Sequence, residues 1–429
     1  MHRALTRLRA RHLRGELGGM VAVCSSHPFV LRTAMRMALD SGAPLLIEAT
    51  ANQVNPFGGY TGMRPDEFSR SIHTMARQIG LADRQVLIGA DHLGPHVWKQ
   101  EPAAAAMQKA EVLVHQCIQA GFQKIHLDTA ARCADEPGTD DLPLTLIVQR
   151  AAQLCRVAEE AQTQAGNLPA PLYVIGNEVP APGGALAQGR ALQVTDPDDL
   201  MAALHMYEKA FAHAGVTEAW QRVVAVVVQP GVDFGDRHVA AYRHAPAGPL
   251  SAAHARLPGL MTYEIHATDY QRPDALRQMV QDHFVLLKVG PCLTNALREA
   301  LWALSDIEAA LPGIERPANL RQVMTHLMTA HPEHWRSHYA GSPEEQAYLR
   351  QYSLRDRIRY YWAMPEARQA VRQLLGNLGR PIPAELLQRC LPDLYPAIGA
   401  TDLPVDPTAI IQAHIRRALN PYWGAAAGK

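Results

Sequence analysis

The chain lacks a CxxC pair. Its six cysteines stand apart at 24, 117, 133, 155, 292 and 390. This excludes a zinc ribbon and a disulfide framework, and a reducing cytoplasm is the simplest setting. It also lacks an excess of either charge, with 41 Lys and Arg against 41 Asp and Glu. That balance argues against a nucleic acid or an anionic membrane surface as a partner held by bulk charge. Nor is there an apolar run long enough to cross a bilayer. Met1 to Gly19 is rich in Arg but has no long apolar stretch, so it does not read as a secretory signal. Its Leu and Arg spacing predicts a short amphipathic helix over 1–17 that closes the bottom of the fold.

Eight short apolar runs recur between residues 21 and 291. They begin at Val21, Pro44, Val86, Lys124, Leu172, Val223, Met261 and Phe284. The spacers between them are long enough for a helix and two loops, which is the pattern of buried parallel strands joined by crossover helices. Eight such units predict an α/β fold, a (β/α)8 TIM barrel over 18–312. Of the 429 residues, a barrel needs only roughly 250. The remainder, 313–429, shows helical patterns at Leu320 to Met328 and Arg368 to Leu378 broken by prolines, and reads as a helical appendage. Residues 232–258 are expected to form a long loop after the sixth strand.

In a barrel the C-terminal strand ends carry the active site. Here they hold Glu48, Asp91, His92, His126, Asp128, Glu178, Gln229, Glu264, His266 and Lys288. Neighbours on a strand point to opposite faces, so Asp91 and His92 share the pocket only if the strand ends or bulges there. His126 and Asp128, like Glu264 and His266, are spaced by two and share a face, which inside a barrel is buried. Ionisable groups there are costly unless paired or bound to metal, so a His–Asp pair that only orients a loop is the alternative. Imidazoles and carboxylates suit Zn, Mn, Co or Ni. Such an ion polarises a carbonyl while a second carboxylate moves a proton, the equipment for enolate chemistry on a ketose. The loop with Asn52 and Gln53 is rich in amides and glycine and suits sugar hydroxyls. Lys288 precedes a helix where many barrels bind phosphate; phosphate is favoured over a Schiff base, with a buried Lys–Glu pair as the alternative. From Tyr352 to Trp362, a helix would put Arg355 and Arg359 on one face. Arg357 or Arg359 could hold phosphate there, or Arg–Asp pairs could dock the appendage.

Several stretches together resemble one family: Ile47-Glu48-Ala49-Thr50 with Asn52-Gln53-Val54-Asn55, Phe57-Gly58-Gly59-Tyr60-Thr61-Gly62, Asp91-His92-Leu93-Gly94-Pro95, Lys124-Ile125-His126-Leu127-Asp128, Glu178-Val179-Pro180, Val228-Gln229-Pro230-Gly231, Thr268-Asp269-Tyr270-Gln271, Lys288-Val289-Gly290-Pro291 and Asp356-Arg357 with Arg359-Tyr360-Tyr361-Trp362. The chain resembles, nearly end to end, the Z-type subunit of D-tagatose-1,6-bisphosphate aldolase (GatZ/KbaZ). The resemblance implies a (β/α)8 fold and a part in galactitol, tagatose or N-acetylgalactosamine breakdown. It implies support of a class II aldolase catalytic subunit that cleaves a ketohexose phosphate, or, as in other members, metal-dependent ketose 4-epimerisation. A non-catalytic, chaperone-like partner is the third expectation. On the first two, Asp91, Glu178 and Asp128 are the catalytic candidates, and His92, His266 and His126 ligate a divalent metal. Glu48, Asn52, Gln53, Gln229, Asp269, Lys288, Arg357 and Arg359 bind substrate. An oligomer is expected.

Overall fold

All eight apolar runs form strands. The structure is a computed structural model and describes residues 2–138, 141–166, 168–176, 192–398 and 406–428. The barrel strands are β1 (Met20–Val23), β2 (Leu45–Thr50), β3 (Val86–Leu93), β4 (Lys124–Leu127), β5 (Leu172–Ile175), β6 (Val223–Val227), β9 (Thr262–Ile265) and β10 (Phe284–Val289). They are parallel and close in the order β1-β10-β9-β6-β5-β4-β3-β2. The predicted TIM barrel is therefore present. The long loop expected at 232–258 is partly ordered. It carries a small antiparallel pair, β7 (Asp233–Phe234) and β8 (Val239–Ala240), and a helix over His244–Ala253.

The barrel interior divides by height. Toward the strand starts, Met20, Ala22, Leu46, Leu87, Leu172, Val174 and Leu286 form an apolar plug. Leu5 and Leu8 complete it, from two short N-terminal helices (His2–Thr6 and Leu8–Leu13) where the sequence predicted one over 1–17. Burying each of these leucines contributes about 1.5–3 kcal/mol. Above this layer the inward positions turn ionisable: Glu48, Lys124, His126 and Glu264 are fully buried.

At the base, His12, His254 and His283 form a second histidine cluster. His12 Nδ1 lies 3.0 Å from His283 Nδ1, and its Nε2 lies 2.6 Å from the Gly18 carbonyl. The His254 and His283 rings stack at 4.5 Å. Burial, then the charges of His283, His12 and Arg9, push His254 down to about 3. Burial likewise lowers His12 and His283, with Asp282 opposing it at His283. In the unfolded chain these rings titrate near 6.5, about their free value. Between that pH and the lowered folded values the unfolded state binds more protons. Their contribution is fully present above about pH 6.5 and is lost as pH falls below it. Urea denaturation is expected to show lower stability at pH 5 than at pH 7.5, with a shallower dependence in His254→Phe. An unchanged dependence in that variant would overturn the assignment.

The chain beyond the eighth crossover helix (Pro291–Ala310) is helical, as predicted, with helices at Leu320–Ala330, Pro343–Tyr352, Pro365–Asn377 and Ala384–Cys390. The last, Pro407–Ala426, packs back on the barrel's own helices, and the Ala426 carbonyl accepts from the Gly19 amide at the entry to β1. The predicted helix over Tyr352 to Trp362 is not formed. The preceding helix stops at Tyr352, Asp356 turns the chain at φ 47°, and only a short 3-10 turn, Arg357–Tyr360, follows. Its register is given up because the segment bonds to barrel loops. Ser353 Oγ and Arg355 Nε donate to Asp236 at 2.6 and 3.0 Å, and Tyr270 donates its hydroxyl to the Leu354 carbonyl at 2.6 Å.

Candidate active site

The end of β3 meets the condition that the sequence set. Between β3 and β4 the register passes from Ala90↔Ile125 to Leu93↔Leu127, so β3 carries one extra residue, and His92 adopts φ 53°. A non-glycine residue in this left-handed region costs about 1–2 kcal/mol. The bulge turns both Asp91 and His92 toward the barrel mouth. Ala267 (φ 53°), directly after His266, makes a similar turn past the end of β9. Gly94 lets β3 pass close to β4, because a Cβ there would lie 1.7 Å from the Asp128 carbonyl oxygen.

Four predicted residues come together. One ligand atom from each of Asp91, His92, His126 and His266 lies within 4.8 Å of the others. His92 Nδ1 is 2.7 Å from Asp128 Oδ2, and His266 Nε2 is 3.0 Å from Glu264 Oε1. A carboxylate behind the outer nitrogen of an imidazole fixes the ring and its tautomer and raises its basicity, the usual support of a metal-binding histidine. These residues thus fit a divalent ion, with His92 and His266 the better oriented. His126 already uses Nδ1 on Asp91 and Nε2 on the Gly176 carbonyl.

That last arrangement constrains a proton. The Gly176 carbonyl can only accept, so His126 Nε2 must be the donor in the 3.0 Å contact. Nδ1 lies 2.8 Å from Asp91 Oδ1 and also accepts from the His92 amide at 3.3 Å. Burial pulls His126 below the ordinary imidazole value, and Asp91 opposes that. Burial would raise Asp91, but His92, Lys288 and His126 outweigh it and favour its ionised form. Asp91 thus stands as a carboxylate beside the His126 imidazole, a pair that can take up one proton.

Below lies a charge network that sequence reasoning had only in part. Lys124 ion-pairs with Glu48 and, at 2.7 Å, with Glu264. Lys288 ion-pairs with Asp91, with Glu48 at 3.0 Å and with Glu264 at 3.6 Å. Two cations thus face three carboxylates, which leaves one negative charge over. Lys124 was not singled out, although it lies two residues before His126 and so on the same inward face. Burial lowers Lys288, but Asp91 and Glu48 outweigh that and hold its ammonium well above the usual value. A protonated lysine cannot attack a carbonyl, and one already paired with carboxylates is a poor phosphate ligand. These pairs are those of the buried-pair alternative expected for Lys288.

Other expected residues have structural partners. Burial would raise Asp128, but His92 holds it at about 2, so its geometry is that of a positioning residue rather than a proton donor. Glu48 is fully buried beneath the site. Gln53 Oε1 accepts from the Thr50 amide, and Gln229 Oε1 from the Gly231 and Val232 amides. Asn52 is exposed. Asp269 accepts from the Gly290 and Cys292 amides at 3.0 and 2.8 Å, filling the helix N-terminus where phosphate was expected. Arg357 and Arg359 lie in the segment packed over the mouth. Glu178 falls outside the described residues.

The Asp128–His92 bond gives a prediction. Asp128→Asn is expected to weaken divalent-metal binding about 10–100-fold, as loss of a carboxylate behind a ligating imidazole does. Competition with a chromogenic chelator measures it, and unaltered affinity would remove His92 from the ligand set.

A protein-family profile described as D-tagatose-1,6-bisphosphate aldolase subunit GatZ/KbaZ-like matches residues 5–427. The chain belongs to this family. It is 42% identical to a protein of known structure from Sinorhizobium meliloti 1021, described as a probable tagatose 6 phosphate kinase. The match covers 95% of this chain and 100% of that one, with a TM-score of 0.86. A fructose-bisphosphate aldolase from Campylobacter jejuni is 12% identical over 91% of this chain and 93% of its own, with a TM-score of 0.43. That likeness is too slight to bear on the chemistry. Among the described residues, no helix is long and apolar enough to cross a membrane.

Proposed function

We propose that this chain itself performs retro-aldol chemistry on a ketohexose phosphate. The observation that carries this reading is the 2.8 Å contact of Asp91 with His126 beside a metal-competent set of His92, His266 and Asp91. A partner with only a supporting role has no need of such a strained and charged centre. The family assignment and the sugar-phosphate name given to the Sinorhizobium relative support the substrate class.

The Asp91–His126 pair removes the proton from the C4 hydroxyl of the open-chain ketose. The C3–C4 bond then breaks, leaving an aldehyde at C4 and an enediolate over C2 and C3. A divalent metal held by His92, His266 and Asp91 would supply Lewis-acid stabilisation of that negative charge. Asp128 and Glu264 keep the two imidazoles oriented. Release of the two fragments is aldolase activity, with a class II catalytic subunit as the family's expected partner. Rotation of the aldehyde and re-addition is 4-epimerisation. The six cysteines are all free, in keeping with the cytoplasm as the place of action.

The test is to incubate the purified, full-length chain with Mn, Ni or Zn and either fructose 6-phosphate or tagatose 1,6-bisphosphate, and to follow products by NMR. Tagatose 6-phosphate from the first, or triose phosphates from the second, is expected. Silence on both, followed by activity only when a class II subunit is added and unaffected by Asp91→Asn, would make the chain a non-catalytic partner.

A further inference from the structure

Four arginines lie where the appendage crosses the barrel mouth, and they divide into two kinds. Arg298 Nε pairs with Asp356 at 3.2 Å, and Arg355 Nε with Asp236 at 3.0 Å. These two dock the segment. Arg357 and Arg359 do not fit that role. Among the described residues no carboxylate lies within the 4.0 Å ion-pair distance of either guanidinium. Arg357 donates to the His334 carbonyl, and Arg359 to the Arg355 and Asp356 carbonyls, all neutral acceptors. Both guanidinium carbons stand over the ring of Tyr360, at 4.8 and 4.7 Å. Two like charges on one half-buried ring repel, and among the described residues Asp356 and Asp269 act on Arg359 only from beyond ion-pair distance.

The surroundings register that potential. Burial would raise the Tyr360 phenol, yet Arg359 and Arg357 outweigh it and hold it below its usual value. His338 is pushed down to about 3, first by burial and then by Arg357, Arg355 and Arg359. The spot also adjoins the barrel mouth, since Tyr360 packs on Tyr60 of the β2 loop at 4.5 Å. Meanwhile the usual barrel phosphate position at the Pro291–Ala310 helix is filled by Asp269, and Lys288 is committed to carboxylates.

We propose that Arg357 and Arg359, seated on Tyr360, form an anion subsite on the appendage that takes the terminal phosphate of an open-chain sugar phosphate. A phosphate dianion matches two guanidinium forks in charge and in planar, two-point hydrogen bonding. The subsite deepens the function proposed above: it makes the appendage the element that selects phosphorylated over free ketoses.

Isothermal titration of the full chain with inorganic phosphate, fructose 6-phosphate and fructose tests this without needing turnover. One saturable phosphate site is expected, with fructose 6-phosphate binding at least about tenfold more tightly than fructose. Arg357→Gln and Arg359→Gln should each weaken phosphate binding about tenfold or more, as loss of a charged hydrogen-bonding partner does. Arg272→Gln, at an exposed arginine paired with Asp274, should not. Asp91→Asn should also keep the phosphate affinity, so a working subsite on a chain without turnover would count against the proposed function alone. Where an arginine variant fails to fold, the wild type still decides. Bound phosphate should raise the alkaline pH at which the first tyrosinate appears at 295 nm, and Tyr360→Phe should abolish that shift. Absence of saturable phosphate binding, equal loss in Arg272→Gln, no preference for the sugar phosphate over fructose, or no tyrosinate shift would each overturn the proposal.

Discussion

Lys124→Met is expected to destabilise the protein by about 3–5 kcal/mol, the usual cost of removing one partner from a buried ion pair. Lys124 is fully buried in the barrel interior, between Glu48 and Glu264. Burial lowers its pKa, but Glu264 and Glu48 outweigh burial and raise it above the ordinary lysine value, so it is charged in the folded state. Methionine fills a similar volume but leaves two carboxylates with Lys288 as their only remaining cation in the network. Guanidinium denaturation of both proteins at neutral pH measures the loss. The double variant Lys124→Met, Glu48→Gln should recover part of it, because one uncompensated charge is removed with the other. A single variant within about 1 kcal/mol of wild type would mean that the network is solvated and does not organise the barrel.

Asp91→Asn carries the second large effect, on turnover. Asparagine keeps the shape of the side chain but cannot take up a proton. The rate of any ketose-phosphate reaction is expected to fall about 100- to 10,000-fold, the range that general acid–base catalysis supplies. The fold should persist, since Lys288 keeps Glu48 at 3.0 Å and Glu264 at 3.6 Å. Steady-state kinetics alongside a thermal melt separates the two. Turnover within tenfold of wild type in a folded, metal-loaded variant would take Asp91 out of the chemistry.

The sequence alone determined the fold. Eight apolar runs with helix-length spacers admit few arrangements other than a closed parallel barrel, because each strand is buried on both faces and each crossover covers one. It also marked the strand ends where ionisable groups gather, and the spacing by two placed His126 with Asp128 and Glu264 with His266 on shared inward faces. What it could not determine was pairing. His126 bonds to Asp91 and not to Asp128, and Asp128 bonds to His92, because the bulge at the end of β3 shifts the register against β4 by one residue. Lys124 escaped notice because a lysine at a strand start reads as a solvated end until closure of the barrel brings β2 and β9 to either side of it. Gln53, Gln229 and Asp269 look like sugar ligands in a list of polar loop residues, and only the folded loops show their oxygens already taken by backbone amides. The helix expected over Tyr352 to Trp362 failed for the same reason. Local periodicity favours a helix, but bonds to Asp236 and Tyr270, more than 80 residues away in sequence, are made only by the extended turn. Local pattern fixes elements, whereas the partners of buried charges are long-range contacts that exist only once the barrel has closed.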